Sequence, residues 1–238
     1  MPKREQGQGE RQKLRILCLH GYLQNAETFR AKIGSVRKAL KSRAEFFFVD
    51  APHPVQIQDE QQVQAEGGTR DSPRAWWTWK DLEPGMRPSR AAHYDGWDVS
   101  VKVLADSLQR HAPIDGVLGF SQGATAAALL LAQATSEPGI PAPSFAVLIG
   151  GFLPRDDTFA GWITTAKPST PVLFVFGVND VLVPPERSHQ LIAAFAGPHI
   201  QQFEHAGAHM VPTCSGEFKQ QLQQFLDDFI SRQEAASG

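Results

Sequence analysis

Cysteine is almost missing from this chain: Cys18 and Cys214 are the only two in 238 residues. They make no C-x-x-C and no set of pairs, which excludes a disulfide-stapled scaffold and a thiolate metal site. Cys18 stands inside an apolar run and reads as a small buried hydrophobe. No apolar run reaches membrane-spanning length, so no spanning helix is expected. Residues 1–13 are polar and charged, without the apolar stretch of a signal peptide. They are expected to form a disordered tail, and residues 234–238 a C-terminal tail. Asparagine occurs only as Asn25 and Asn179, and neither opens an N-x-S/T acceptor site. Neither charge sign dominates: Lys plus Arg number 23 and Asp plus Glu 25, a formal net charge of −2, which leaves no footprint of a nucleic-acid binder. These absences point to a reducing compartment. The expected location is cytoplasmic, with the nucleus as an alternative, and not secretion. No cofactor, metal, membrane span or obligatory protein partner is expected.

What is present is an alternation. Continuous apolar runs fall at 14–19, 45–49, 117–120, 145–149 and 171–176, with a more polar one at 199–203. Between them lie helical patterns at about 25–40, 94–110, 124–132, 184–195 and 218–230. Strands that are apolar throughout, separated by helices, indicate a parallel sheet covered on both faces. The apolar content of 42% is ample for one core. The expectation is a single doubly wound α/β domain over 14–233 with a loop-rich insertion at about 54–94. Pro54, Pro73, Pro84 and Pro88, with Gly67-Gly68, should interrupt any regular element in that insertion.

The stretch with chemistry in it is Gly119-Phe120-Ser121-Gln122-Gly123. An apolar strand enters it and an Ala/Leu-rich helix leaves it. G-x-S-x-G at a strand-to-helix junction is the nucleophile elbow of the α/β-hydrolase fold. The glycines let strand and helix cross closely, and the tight turn thrusts the serine oxygen outward. A serine nucleophile needs a base and an acid that orients it, and in this fold they follow in the order Ser, Asp, His. Asp180 lies just past the strand at 171–176, and His209 just past the strand at 199–203. The oxyanion of an acyl intermediate needs two N–H donors. Gln122 N–H supplies one and Tyr22 N–H, after the first strand, the other. His20 should shape that second loop.

Each of these positions has competitors. His205 is a second candidate base, more in keeping with a structural role. Asp156 and Asp157 are a weaker choice of acid, and Asp115 lies at the wrong strand end. The spacing of His199, His205 and His209 resembles no standard zinc pattern.

Five segments together resemble a known group: L-H-G-Y-L-Q-N, D-A-P-H-P, G-F-S-Q-G-A, G-V-N-D-V-L-V-P and A-H-M-V-P. They look like the FSH-type serine hydrolases, and the likeness runs over about 14–230. One departure is Ala208, where related chains carry glycine before the histidine. The resemblance implies an α/β-hydrolase fold and a serine carboxylic ester hydrolase with Ser121, Asp180 and His209 as triad. It also implies medium-to-long straight acyl chains in a lipid-like small-molecule ester. G-F-S-Q-G-A is shared with acyl-protein thioesterases, so thioester cleavage by the same triad is the alternative. A catalytically silent binding module is the reading from another class. Trp76, Trp77 and Trp79 stand in the insertion and are candidate acyl-binding residues; otherwise they pin the insertion to the domain.

Overall fold

The computed structural model of the protein describes residues 13–57, 64, 67–83, 90–137 and 139–237. All but the last residue of the expected N-terminal tail lies outside them. In chain order the elements are β1 (Leu14–Leu19), α1 (Ala26–Lys32), α2 (Gly34–Ala39), β2 (Ala44–Val49), β3 (His53–Pro54), β4 (Arg74–Ala75), β5 (Thr78–Trp79), β6 (Tyr94–Asp95), α3 (Trp97–Arg110) and β7 (Gly116–Phe120). There follow α4 (Gln122–Ser136), β8 (Phe145–Ile149), α5 (Asp157–Ala166), β9 (Val172–Gly177), α6 (Pro185–Ala193), β10 (Ile200–His205) and α7 (Gly216–Ser237).

Six strands form one sheet in the order β10-β9-β8-β7-β1-β2, and every pair in it is parallel. The side-chain alternation of β8 shows why its sequence is apolar throughout. Phe145, Val147 and Ile149 enter one core, and Ala146 and Leu148 enter the other. The first core lies against α1, α2 and α7, whose Phe29, Val36, Phe218, Leu222 and Phe225 fill it. The second lies against α3, α4, α5 and α6. Helix α4 is buried from Gln122 to Gln133, which is why it reads Ala-Ala-Ala-Leu-Leu-Leu with no polar face.

Strand β1 has β2 on one side and β7 on the other, so the chain winds outward from it in both directions. The crevice outside the carboxyl ends of β1 and β7 is where such a sheet binds ligands.

Four expectations change. The helix expected at 25–40 is two short ones meeting at Ile33. The stretch after Gly150-Gly151, read as loop, contains α5. Its Gly161 and β-branched Ile163, Thr164 and Thr165 have modest helix propensity. Asp156 starts it by accepting the N–H groups of Thr158 and Phe159 at 3.0 and 3.3 Å. The insertion is not free of regular structure, because β3 pairs with β4 and β5 with β6, antiparallel. Finally, the closing helix continues to Ser237, so 234–237 are helical rather than a tail.

Candidate active site

Ser121 follows β7 directly and has φ 54° and ψ −119°, a positive-φ conformation that is strained for a residue with a Cβ. Its neighbours enforce the turn. A Cβ on Gly119 would stand 2.4 Å from the Gly123 carbonyl oxygen, and one on Gly123 would stand 2.3 Å from that of Leu19. Ser121 N–H donates to Ile149 O at 2.8 Å and fixes the turn against β8.

The sheet register then assembles three strand ends. His205 at the end of β10 pairs with Gly177 at the end of β9, so the loops carrying His209 and Asp180 are neighbours. The Ser121 hydroxyl donates to His209 Nε2 at 2.8 Å. His209 Nδ1–H donates to Asp180 Oδ2 at 2.6 Å. The other carboxylate oxygen of Asp180 accepts the N–H groups of Leu182 and Val183 at 2.9 and 2.8 Å. Those two bonds hold the carboxylate so that Oδ2 faces the His209 ring. The His209 and Asp180 side chains are only 4% and 1% exposed, which keeps the pair out of water. The ring of Phe120 packs against the imidazole with centroids 4.9 Å apart.

The competing residues have other work. His205 Nδ1 accepts Gly207 N–H at 3.1 Å and shapes the turn that leads to His209. Burial lowers its pKa. Asp156 caps α5 and accepts Tyr94 N–H at 2.8 Å. Asp115 accepts Arg15 N–H at 2.7 Å at the far end of the sheet. Among the described residues, no cluster of three or more His, Cys, Asp or Glu could hold a metal ion. Nor is any helix there long and apolar enough to cross a membrane.

His20 sits beneath the loop that carries Tyr22. Its Nδ1–H donates to Gly21 O at 2.8 Å and its Nε2 accepts Ala51 N–H at 3.0 Å. The bond accepted by Nε2 needs the neutral ring, and burial pushes its pKa down to about 4. The Tyr22 ring meets Trp79 edge-on, centroids 4.9 Å apart. Gln122 stands at the first position of α4, where backbone N–H groups lack intrahelical acceptors.

The three tryptophans divide. Trp76 and Trp77 are 0% exposed, and Trp79 is half-buried. Trp77 stacks on Tyr94, centroids 5.3 Å apart, with Trp97, Phe152 and Phe159 around it. Its ring presents no surface to a substrate and serves as a plug for the insertion. Trp76 lies under the site instead of lining it. Its Nε1–H donates to His20 O at 2.8 Å and its backbone N–H to Gln122 Oε1 at 2.9 Å. Of the expected acyl wall, only Trp79 is not fully buried. The Gln122 side chain was not singled out by the sequence. Its one signal was a long polar residue opening an otherwise apolar helix.

Residues 10–221 match the family described as Serine hydrolase (FSH1). The human protein named Esterase OVCA2 is 36% identical over 222 residues, which span 91% of this chain and 96% of that protein. Esterase OVCA2 of Danio rerio is 37% identical over 91% and 97%, and Esterase C25G4.2 of Caenorhabditis elegans 33% over 92% and 96%. Among solved structures, Arabidopsis thaliana SOBER1 superposes with a TM-score of 0.60 at 17% identity, covering 92% of this chain and 100% of that one. Acyl-protein thioesterase 2 of Zea mays does so with a TM-score of 0.59 at 21% identity, covering 91% and 94%. At such identities the superpositions speak for the shared α/β-hydrolase fold. The match across nearly the whole chain, with relatives above 30% identity, means that this protein belongs to the FSH1 family of serine hydrolases.

Proposed function

We propose that the protein hydrolyses carboxylic esters through an acyl-enzyme, with Ser121 as nucleophile, His209 as base and Asp180 as the acid that orients it. The observation that carries this reading is the unbroken relay from Ser121 Oγ through both nitrogens of His209 to Asp180. His209 Nε2 takes the hydroxyl proton as Oγ attacks the ester carbonyl. The N–H groups of Tyr22 and Gln122 receive the developing oxyanion. The imidazolium, steadied by Asp180, returns its proton to the leaving alkoxide. Water then enters and gives a proton to His209 as its oxygen attacks the acyl carbon; the acyl–Oγ bond breaks, the acid leaves, and His209 returns the proton to Ser121 Oγ. Relatives named as esterases support an ester as substrate.

The same reading extends to medium-to-long straight acyl chains in a cytoplasmic, lipid-like ester. Trp79, edge-on to Tyr22, gives apolar surface beside the oxyanion loop. Each methylene laid on such a surface is worth up to about 0.8 kcal/mol. A fluorophosphonate probe should label wild-type protein and fail on Ser121→Ala. Hydrolysis of p-nitrophenyl esters from acetate to myristate, beside matched thioesters, then fixes chain length and linkage. A kcat/KM that falls steadily beyond butyrate would remove the long-chain part. Faster cleavage of the thioesters would make the enzyme a thioesterase.

A further inference from the structure

Lys32 ends α1 with its ammonium above the ring of Phe120, Nζ 5.0 Å from the centroid. The same ring packs on His209, with centroids 4.9 Å apart. This cation and the triad imidazole therefore pack on one aromatic ring. The β1 loop borders that ring too: a Cβ on Gly21 would stand 3.0 Å from Phe120 Cδ1. The insertion also reaches the ammonium. A Cβ on Gly67 would stand only 2.6 Å from Nζ, and Gly67 O is held by Gln24 Nε2 at 3.1 Å.

Among the described residues, Lys32 meets no acid. Arg15, Arg43 and Lys80 each meet a carboxylate, Glu45, Asp227 and Asp95 in turn. Among the described residues Lys32 meets none, although it is half-buried and desolvation lowers its pKa. An ammonium drawn out of water without an anion is unfavourable, and the aromatic face compensates only in part. Such a cation beside a reaction centre is a ready receptor for negative charge.

We propose that Lys32 receives an anionic group of the substrate, carboxylate or phosphate, so that the preferred esters carry negative charge away from the bond that is cut. The proposal rests on the esterase reading and narrows its substrate class. A point charge suits either anion, because lysine does not impose the planar fork of arginine.

Two matched pairs of substrates test it. The p-nitrophenyl monoester of adipic acid against p-nitrophenyl hexanoate places the charge on the acyl side. The hexanoate ester of p-hydroxybenzoic acid against phenyl hexanoate places it on the alcohol side. In each pair the ratio of kcat/KM, charged over neutral, is compared between wild type and variants. For at least one pair the ratio should fall about tenfold or more in Lys32→Met and be largely kept in Lys32→Arg. The pair that responds tells which side of the ester carries the anion. Wild-type protein gives a second reading that needs no variant: rising salt should depress cleavage of the charged ester more than of the neutral one. Ratios unchanged by Lys32→Met in both pairs, or equal salt sensitivity of charged and neutral esters, would overturn the proposal and leave the esterase reading standing. Wild-type protein that cleaves none of the four would overturn both.

Discussion

Trp76 and Gln122 are bound to each other across the site: Trp76 N–H donates to Gln122 Oε1 at 2.9 Å, and Gln122 Nε2 donates on to Trp77 O at 3.1 Å. Trp76 also reaches His20 O through its ring nitrogen at 2.8 Å. The insertion thus clamps the start of α4 to the loop after β1, the two places that supply the proposed oxyanion donors. Gln122→Leu keeps the backbone N–H at 122 but leaves a buried donor and a buried acceptor unpaired, at about 1–3 kcal/mol each. The expected result is a lower Tm and a kcat reduced by up to about 10²-fold, since small displacements of catalytic groups cost that much. KM should change less. An unaltered kcat would show that the clamp does not set the donor geometry.

The triad gives the largest predicted effects. Ser121→Ala and His209→Ala should each lower kcat by about 10⁴-fold or more, and the double variant should lose little further, because the residues act as one unit. His205→Ala should lose far less, as His205 bonds only the turn at Gly207. Steady-state kinetics on one ester checks all four. Loss of activity in His205→Ala with activity kept in His209→Ala would reverse the assignment of the base.

Asp180→Asn is a sharper test of orientation. An amide has one acceptor oxygen where the carboxylate uses both, for His209 on one side and Leu182 and Val183 on the other. If the amide oxygen stays with the backbone donors, its nitrogen faces Nδ1 and selects the wrong imidazole tautomer. A fall in kcat of about 10⁴-fold is expected, with the fold intact by circular dichroism.

His20 predicts a pH dependence of stability. Its folded-state pKa, pushed down to about 4, lies below the ordinary value of 6.5 that holds in the unfolded chain. As pH falls from 6.5 toward 4, the unfolded state takes up a proton that the folded state refuses. Stability therefore declines across that window and this loss is complete below about pH 4. At about 1.4 kcal/mol per pH unit the total is about 3 kcal/mol. Denaturant unfolding at pH 7 and pH 5 should show the decline in wild type. His20→Gln cannot titrate and should lack that share of it. Equal slopes in the two proteins would remove His20 as the source.

Gly123→Ala should be poorly tolerated, because its Cβ would meet the carbonyl oxygens of Leu19 and His20 at 2.3 and 2.4 Å. Both belong to backbone that cannot swing away as a side chain could. A large drop in Tm with loss of activity is expected. Wild-type behaviour would mean that the elbow relaxes without cost.

The sequence alone determined the parallel α/β layering, the strand-to-helix turn at Ser121 and the three positions of the proposed triad, which the structure joins by hydrogen bonds. These are local signals: apolar runs mark strands buried on both faces, and catalytic residues in this fold sit just past strand ends. Ser121, Asp180 and His209 could be named because each follows such a run. The relation among Trp76, Gln122 and His20 had no local signal. It depends on a backbone path through an insertion whose two-residue ladders are too short to leave a periodic pattern. The rings of Trp76 and Trp77 looked available for substrate because hydrophobicity says only that a side chain seeks burial. Whether the wall that covers it is substrate or protein is decided by packing, and here Tyr94, Phe152 and Phe159 enclose Trp77. Lys32 is likewise an ordinary lysine in the sequence. Only the tertiary structure sets it on Phe120, far along the chain, whose ring also packs on His209.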